Sequence, residues 1–343
     1  MARLLFILPR FHTNMWFAVR QMLRDGHEVK FLVNFSARGE DHSLAEPVVM
    51  GRYPSRAEVE AAVREFDPDL VIIRNAWAIS RRAARVARRM GRPAVLYNQI
   101  PLSQRTSLVR RVELWWKGLP ARRITPVRGL GPVVRPDPLA TYLPWPVAPL
   151  PVTAVRPAGQ DRLRVLLVGK LGMERKNQTA LIDALARSDL AGRIDLTLVG
   201  ALPDAGNRHY EDLRRLADKP WVTLAGEVPF HAMPDLYATH DVCILPSFAE
   251  PLGTSPVEAM AYGTVPMIST QCGSAGYLID GQDGLLFDPS DLAGAVDALR
   301  RLAEDRDGLA RLKSGALATV RRDLSEAVFA QKMADLLRDL RVA

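Results

Sequence analysis

Nine of the chain's 25 prolines fall between positions 126 and 157, in a stretch that alternates proline with valine, leucine and tryptophan. Proline fixes φ and offers no N–H, so such a stretch interrupts regular structure and divides the 343 residues in two. The same alternation recurs on each side. Before it, apolar runs at residues 4–8, 29–33, 70–73 and 94–97 read as strands, separated by helical patterns at 15–24, 56–65 and 81–90. After it, strands are predicted at 164–168, 195–199, 222–224, 242–245 and 265–268, with helices at 178–186, 210–217 and 255–262. Strands apolar on both faces and joined through helices imply parallel sheets covered on both sides. Two α/β domains follow, each a Rossmann-like doubly wound parallel sheet, with expected bounds 1–150 and 151–323 and a further helix at 324–343.

Composition removes several classes. No run of 18 uncharged apolar residues exists, and the apolar stretch at 4–8 is too short for a secretory signal and reads as a first strand. The two cysteines, Cys243 and Cys272, sit in apolar or turn contexts, which predicts a reduced, cytoplasmic protein without disulfides. The six histidines show no paired spacing, so neither a metal nor another cofactor is expected. Asp67-Pro68-Asp69 imitates a metal-binding Asp-x-Asp but precedes a strand as an ordinary entry turn.

Charge is uneven: residues 1–150 carry +12 and residues 151–343 carry −4. Between Arg74 and Arg135 stand 15 basic residues and one acid, Glu113. The arginine-rich helix at 81–90 has no interleaved aromatics, so a basic surface is expected rather than a nucleic-acid site. Residues 106–117 place Leu108, Val112 and Trp115 on one helical face with Arg110, Arg111 and Lys117 elsewhere. That pattern suits either a helix at an anionic membrane or a stripe packed on the core.

The most informative motif is Glu250-Pro-Leu-Gly-Thr-Ser-Pro-Val-Glu258-Ala-Met-Ala-Tyr-Gly-Thr-Val-Pro266, between two predicted strands. Leu252, Gly253, Thr254 and Ser255 offer backbone N–H groups behind small or polar side chains. Ser255, Pro256 and Glu258 suit the Ncap, N1 and N3 positions of a helix. An anion there would meet open donors and a positive helix end. The same residues also spell a capping box, in which Glu258 bonds back to the cap.

Glu-x7-Glu followed by Ala-Met-Ala-x-Gly-x-x-Pro resembles the signature of the retaining glycosyltransferases of family 4, the glycosyl transferases group 1, closely over residues 163–288 and loosely before them. The resemblance implies a GT-B fold, two domains facing a cleft with the last helix crossing back to the first. It implies transfer of a sugar from a nucleotide-sugar donor to a hydroxyl acceptor. It assigns Glu250 to the transferred sugar and Glu258 to the ribose, with Leu252, Gly253, Thr254 and Ser255 on the phosphates. The loop Gly169-Lys170-Leu-Gly-Met-Glu-Arg-Lys176 is similar to the family's Gly-Arg-Leu…Lys-Gly loop, so Lys176 and Lys170 are expected on the diphosphate. Lys170 stands where arginine is usual. A turn at Glu227 and Val228 would read the nucleobase through its backbone.

The first half departs more. Pro9-Arg10-Phe11-His12-Thr13-Asn14 replaces the usual Gly-Gly loop, which makes His12 and Asn14 acceptor candidates together with Arg74 and Gln99. Gln99 occupies a position where the family has histidine, and an amide cannot take a proton near neutral pH. Retention by front-face departure, in which the leaving phosphate helps deprotonate the acceptor, needs no protein base there. The expected partners are a nucleotide-sugar and a hydroxyl acceptor, anionic or lipid-linked, with peripheral contact to the inner face of a membrane. A catalytically degenerate binder and a GT-B nucleotide-sugar epimerase are the alternatives.

Overall fold

In the first half the buried strand β1 (Arg3–Leu8) is all apolar after its first residue, and it becomes the centre of a sheet because both of its edges can be paired. A computed structural model describes residues 1–37, 39–74, 77–155 and 162–342, and Pro157 of the proline-rich stretch lies outside them. The sheet adds β2 (Glu28–Val33), β3 (Val48–Val49), β4 (Leu70–Ile73), β5 (Ala94–Tyr97), β6 (Arg123–Thr125) and β7 (Ala140–Tyr142) in the order β3-β2-β1-β4-β5-β6-β7, every pair parallel. Helices α1 (Trp16–Arg24), α2 (Arg56–Phe66), α3 (Trp77–Arg89) and α4 (Leu108–Trp116) belong to the same half.

The second sheet runs β10-β9-β8-β11-β12-β13, again parallel throughout. Its strands are β8 (Leu163–Val168), β9 (Ile194–Val199), β10 (Val222–Gly226), β11 (Val242–Leu245), β12 (Val265–Ser269) and β13 (Leu285–Phe287). With it go α5 (Gln178–Ala186), α6 (Arg208–Ala217), α7 (Met233–Thr239), α8 (Ser255–Met260), α9 (Leu292–Glu304) and α10 (Arg306–Thr319), and α11 (Glu326–Asp339) follows. The chain divides into a unit of Met1–Arg128, Pro132–Pro146 and Leu324–Ala343 and a unit of Gly129–Gly131 and Val147–Asp323.

Each unit has its own apolar core. In the first, Leu5, Ile7, Leu32, Val71 and Ile73 of the sheet meet Val59, Val63 and Ala83 of α2 and α3. In the second, Val165, Leu167, Leu196 and Leu198 meet Leu181, Leu185, Leu213 and Leu299. At about 25 cal/mol per Å² of apolar surface, burial on this scale is what offsets the chain entropy of two domains.

Both sheets reverse strand order once, at β1/β4 and at β8/β11. In an open parallel sheet the loops leaving neighbouring strands diverge at such a point and leave a crevice at the strand carboxyl ends. His12, Asn14 and Arg74 follow β1 and β4. Lys170, Lys176 and Glu250 follow β8 and β11.

The Asp67/Asp69 pair is structural. Asp67 takes φ 46° to end α2 and, with Asp69, bonds Arg92 at 3.0 and 3.3 Å, while Asp69 also accepts from the Arg3 backbone N–H at 2.8 Å. Among the described residues no group of three His, Cys, Asp or Glu side chains is placed to hold a metal, and no helix is long and apolar enough to cross a membrane. Both cysteines are free and buried.

Candidate functional site

Strand β8 ends at Val168, and Gly169 carries the chain into the loop that presents the lysines. A Cβ on Gly169 would lie 3.3 Å from Cε and Nζ of Lys176, so glycine lets the lysine stem lie across the backbone. Asn177 adopts φ 57° and its side chain donates to the Pro289 carbonyl at 3.0 Å, which turns the loop sharply into α5. Lys176 is consequently only 8% exposed, and its ammonium pairs with the Glu250 carboxylate.

The loop after β11 brings Glu250 to meet it. Glu250 bridges to Cys272, and its carbonyl accepts from Gly273 N–H at 2.9 Å, so its backbone is fixed between two loops. Arg175 adds a second cation: its Nη1 donates to Glu250 Oε2 and to the Ala249 carbonyl, both at 2.7 Å. Burial works against ionisation of Glu250, but Lys176 and then Arg175 outweigh it and hold the carboxyl below its ordinary range. Glu250 is therefore an anion near neutral pH. Burial, with Glu250 nearby, pushes the Cys272 thiol up to about 11, so it is an inert thiol.

Between Glu250 and α8 the chain bends at Gly253, φ 79°, where a Cβ would meet Leu245 Cδ2 at 2.5 Å and Glu250 Cγ at 3.0 Å. Only glycine fits both that left-handed turn and that closeness. Among the described residues the backbone N–H groups of Gly253, Thr254 and Ser255 find no protein acceptor. Beside them, buried Ser274 Oγ has no hydrogen-bond partner either.

The helix start differs from the sequence expectation. Thr254, not Ser255, is the N-cap of α8, and no capping box forms. The reason is that Ser255 Oγ donates to the Val168 carbonyl at 3.2 Å, tying the first turn to the end of β8. Glu258 falls one position deeper, where it accepts from Tyr237 Oη at 2.8 Å and from the Thr254 side chain. Burial pushes its carboxyl up, opposite to Glu250. The helix ends at Met260 rather than Tyr262.

Lys170 is exposed and makes no side-chain ion pair among the described residues, so it is not joined to Glu250. Glu227 is exposed just past Gly226, which takes φ 71°, and Val228 packs beside Leu166, Val199 and Tyr237. In the first unit Arg74 donates to Gln99 Oε1 at 3.3 Å and stacks over the Tyr97 ring at 5.3 Å, while Gln99 donates on to Tyr97 Oη at 3.3 Å. His12 lies 3.7 Å from Glu40, which also takes Arg10 at 3.4 Å and Thr13 Oγ1 at 2.7 Å. Asn14 is in the short turn before α1 and only partly buried. Arg175 was not foreseen: its neighbour Lys176 drew the motif, and only the fold shows that both side chains reach one carboxylate.

Two parallel doubly wound sheets, with cations and a glutamate meeting at the reversal point of the second, define the GT-B class of fold. Residues 162–305 match the glycosyl transferases group 1. The sulfoquinovosyl transferase SQD2 of Arabidopsis thaliana is 29% identical over 149 residues, 42% of this chain and 27% of its own. A D-inositol 3-phosphate glycosyltransferase of Nocardioides is 30% identical over 154 residues, 41% of this chain and 33% of its own. The matched segments thus span about a third or less of those relatives. Anabaena Alr3699/HepE, solved in complex with UDP and glucose, superposes with a TM-score of 0.74 over 99% of this chain and 100% of its own at 18% identity. Sucrose-phosphate synthase from Thermosynechococcus elongatus gives 0.70 over 99% of each chain, also at 18% identity.

Proposed function

We propose that this protein transfers a sugar from a nucleotide-sugar to a hydroxyl acceptor with retention at the anomeric carbon and without a metal. The observation that carries the reading is an ionised Glu250 held by Lys176 and Arg175 beside a bend with three unpaired amide N–H groups. In the reaction the bond from the anomeric carbon to the diphosphate breaks and a bond to the acceptor oxygen forms on the same face. The departing diphosphate takes the acceptor's proton. Negative charge grows on the leaving group, and cations and amides already in place stabilise it without reorganising. Glu250 meets the opposite charge, accepting from sugar hydroxyls and facing the oxocarbenium-like carbon. Glu258 would accept from the ribose, in exchange for the bonds it now takes from Tyr237 and Thr254.

Because Alr3699/HepE was solved with UDP and glucose, a UDP-sugar is the first donor to try. The acceptor side is read as anionic or lipid-linked, with Arg74 and Gln99 among its contacts and peripheral contact with a membrane. Gln99 and the exposed Lys170 favour one second reading, a binder that no longer turns over. Thermal-shift screening against UDP-, GDP- and ADP-sugars, followed by product analysis with a mixed acceptor pool, tests both. One nucleotide class should raise Tm by a few degrees through ligand linkage, and product should form. Binding without product would favour the silent binder, and no shift with any donor would contradict both.

A further inference from the structure

Helix α4 turns its apolar side away from the protein. At about 100° per residue, Leu108, Val109, Val112, Trp115 and Trp116 share an arc of about 120°. All five are exposed, Trp115 at 75% and Trp116 at 79%, while Leu114 on the opposite side is buried at 3%. The packed-stripe reading of this segment is therefore excluded: one leucine anchors the helix and the stripe faces solvent.

The presentation is firm. Ser107 caps the helix by accepting from Arg110 N–H at 3.2 Å, and Thr106 donates to Asp137 through both N–H and Oγ1, at 3.0 and 2.6 Å. Asp137 pairs with buried Arg123 at 3.2 Å, whose guanidinium also holds the carbonyls of Ile100, Pro101 and Gln104. At the other end Gly118, φ 68°, lets Leu119 N–H bond back to the Leu114 carbonyl at 2.8 Å. Five large apolar side chains are thus held in water by a structure built around them, which marks an interaction surface.

The surrounding charge decides what covers it. Arg111 is exposed next to the arc, Arg105 and Arg110 are exposed on the Leu114 side, and the single carboxylate of the helix, Glu113, is taken up by Arg110 at 2.6 Å and by Lys117. Behind the helix a cavity of about 370 Å³ brings Arg81, Arg110 and Lys117 together against Tyr97 and Leu114. A second copy of this chain would set basic against basic. A bilayer containing anionic lipid offers both an apolar interior for the arc and phosphates for its rim.

We propose that α4 is a membrane-docking helix whose Leu108, Val109, Val112, Trp115 and Trp116 enter the interface of an anionic bilayer, with Arg111 at headgroup level and Arg105, Arg110 and Lys117 adding to the positive field behind it. The inference builds on the reading of a lipid-linked or anionic acceptor and gives that reading a surface.

Flotation with vesicles containing an anionic phospholipid, against vesicles of zwitterionic lipid alone, tests it on the full chain. Wild type should float with the anionic vesicles, and raising salt should reduce recovery. Trp115→Ala/Trp116→Ala should reduce recovery on the order of tenfold, with unchanged circular dichroism because both side chains lie outside the core. Absence of flotation by wild type, equal flotation of both proteins, or a lipid-free dimer abolished by the double substitution would each overturn the proposal. Nucleotide-sugar thermal shift on the same samples reports separately on the donor site, so failure of one reading is not mistaken for failure of the other.

Discussion

Glu250→Gln is expected to lower the transfer rate on the order of a hundredfold or more while donor affinity falls far less. The expected size follows from removing one preorganised electrostatic group at a reacting centre, which costs about 10²–10³ in rate. Lys176 and Arg175 hold Glu250 ionised, so the native side chain offers a full negative charge. Glutamine keeps the shape and one acceptor oxygen but loses that charge, and its amide would point donors at two cations. Steady-state kinetics should show the loss in kcat rather than KM, because the charge matters most when the anomeric carbon turns positive. An equal change in KM alone would make Glu250 a ground-state binding group.

Lys176→Ala acts at the other end of the same bond. A lysine about 4 Å from a unit charge at an effective dielectric near 20 contributes on the order of 4 kcal/mol. If half is felt by bound diphosphate, affinity falls roughly thirtyfold. Calorimetric titration of the cognate nucleotide measures this directly. The loss must be separated from misfolding, since the ammonium is nearly buried and its removal leaves Glu250 with Arg175 alone. Removing one partner of a fully buried pair costs about 3–5 kcal/mol, and the remaining arginine makes the expected destabilisation smaller. Arg175→Ala, at a more exposed side chain, should weaken the nucleotide less than Lys176→Ala.

The sheets were legible where strands are unbroken apolar runs. Residues 70–73 and 242–245 stand in the structure at the predicted bounds because burial on both faces leaves no room for polar residues, and 94–97 does so with Val95 and Tyr97 buried and Ala94 and Leu96 partly exposed. Strands β6 and β7 were not foreseen. Arg123 opens β6 and is buried, its charge absorbed by Asp137 and three carbonyls, so no hydrophobic pattern announces it. Val48–Val49 is too short for periodicity to register. The motif around Glu250 was legible as a turn between strands. Its cap was misplaced by one residue because Ser255 is drawn to Val168, 87 positions away. The same limit hid Arg175 and the outward face of α4: a periodic pattern shows that a stripe exists, and only tertiary packing shows which side of the helix is covered.

The proposed transfer requires the cluster of Lys176, Arg175 and Glu250 to receive a sugar diphosphate. A crystal structure with a nucleotide-sugar bound measures this most directly. Diphosphate oxygens should lie within hydrogen-bond distance of Lys176 Nζ and of the amides of Thr254 and Ser255, with Glu250 turned to the sugar. A donor bound elsewhere, with Lys176 still engaged by Glu250 alone, would contradict it.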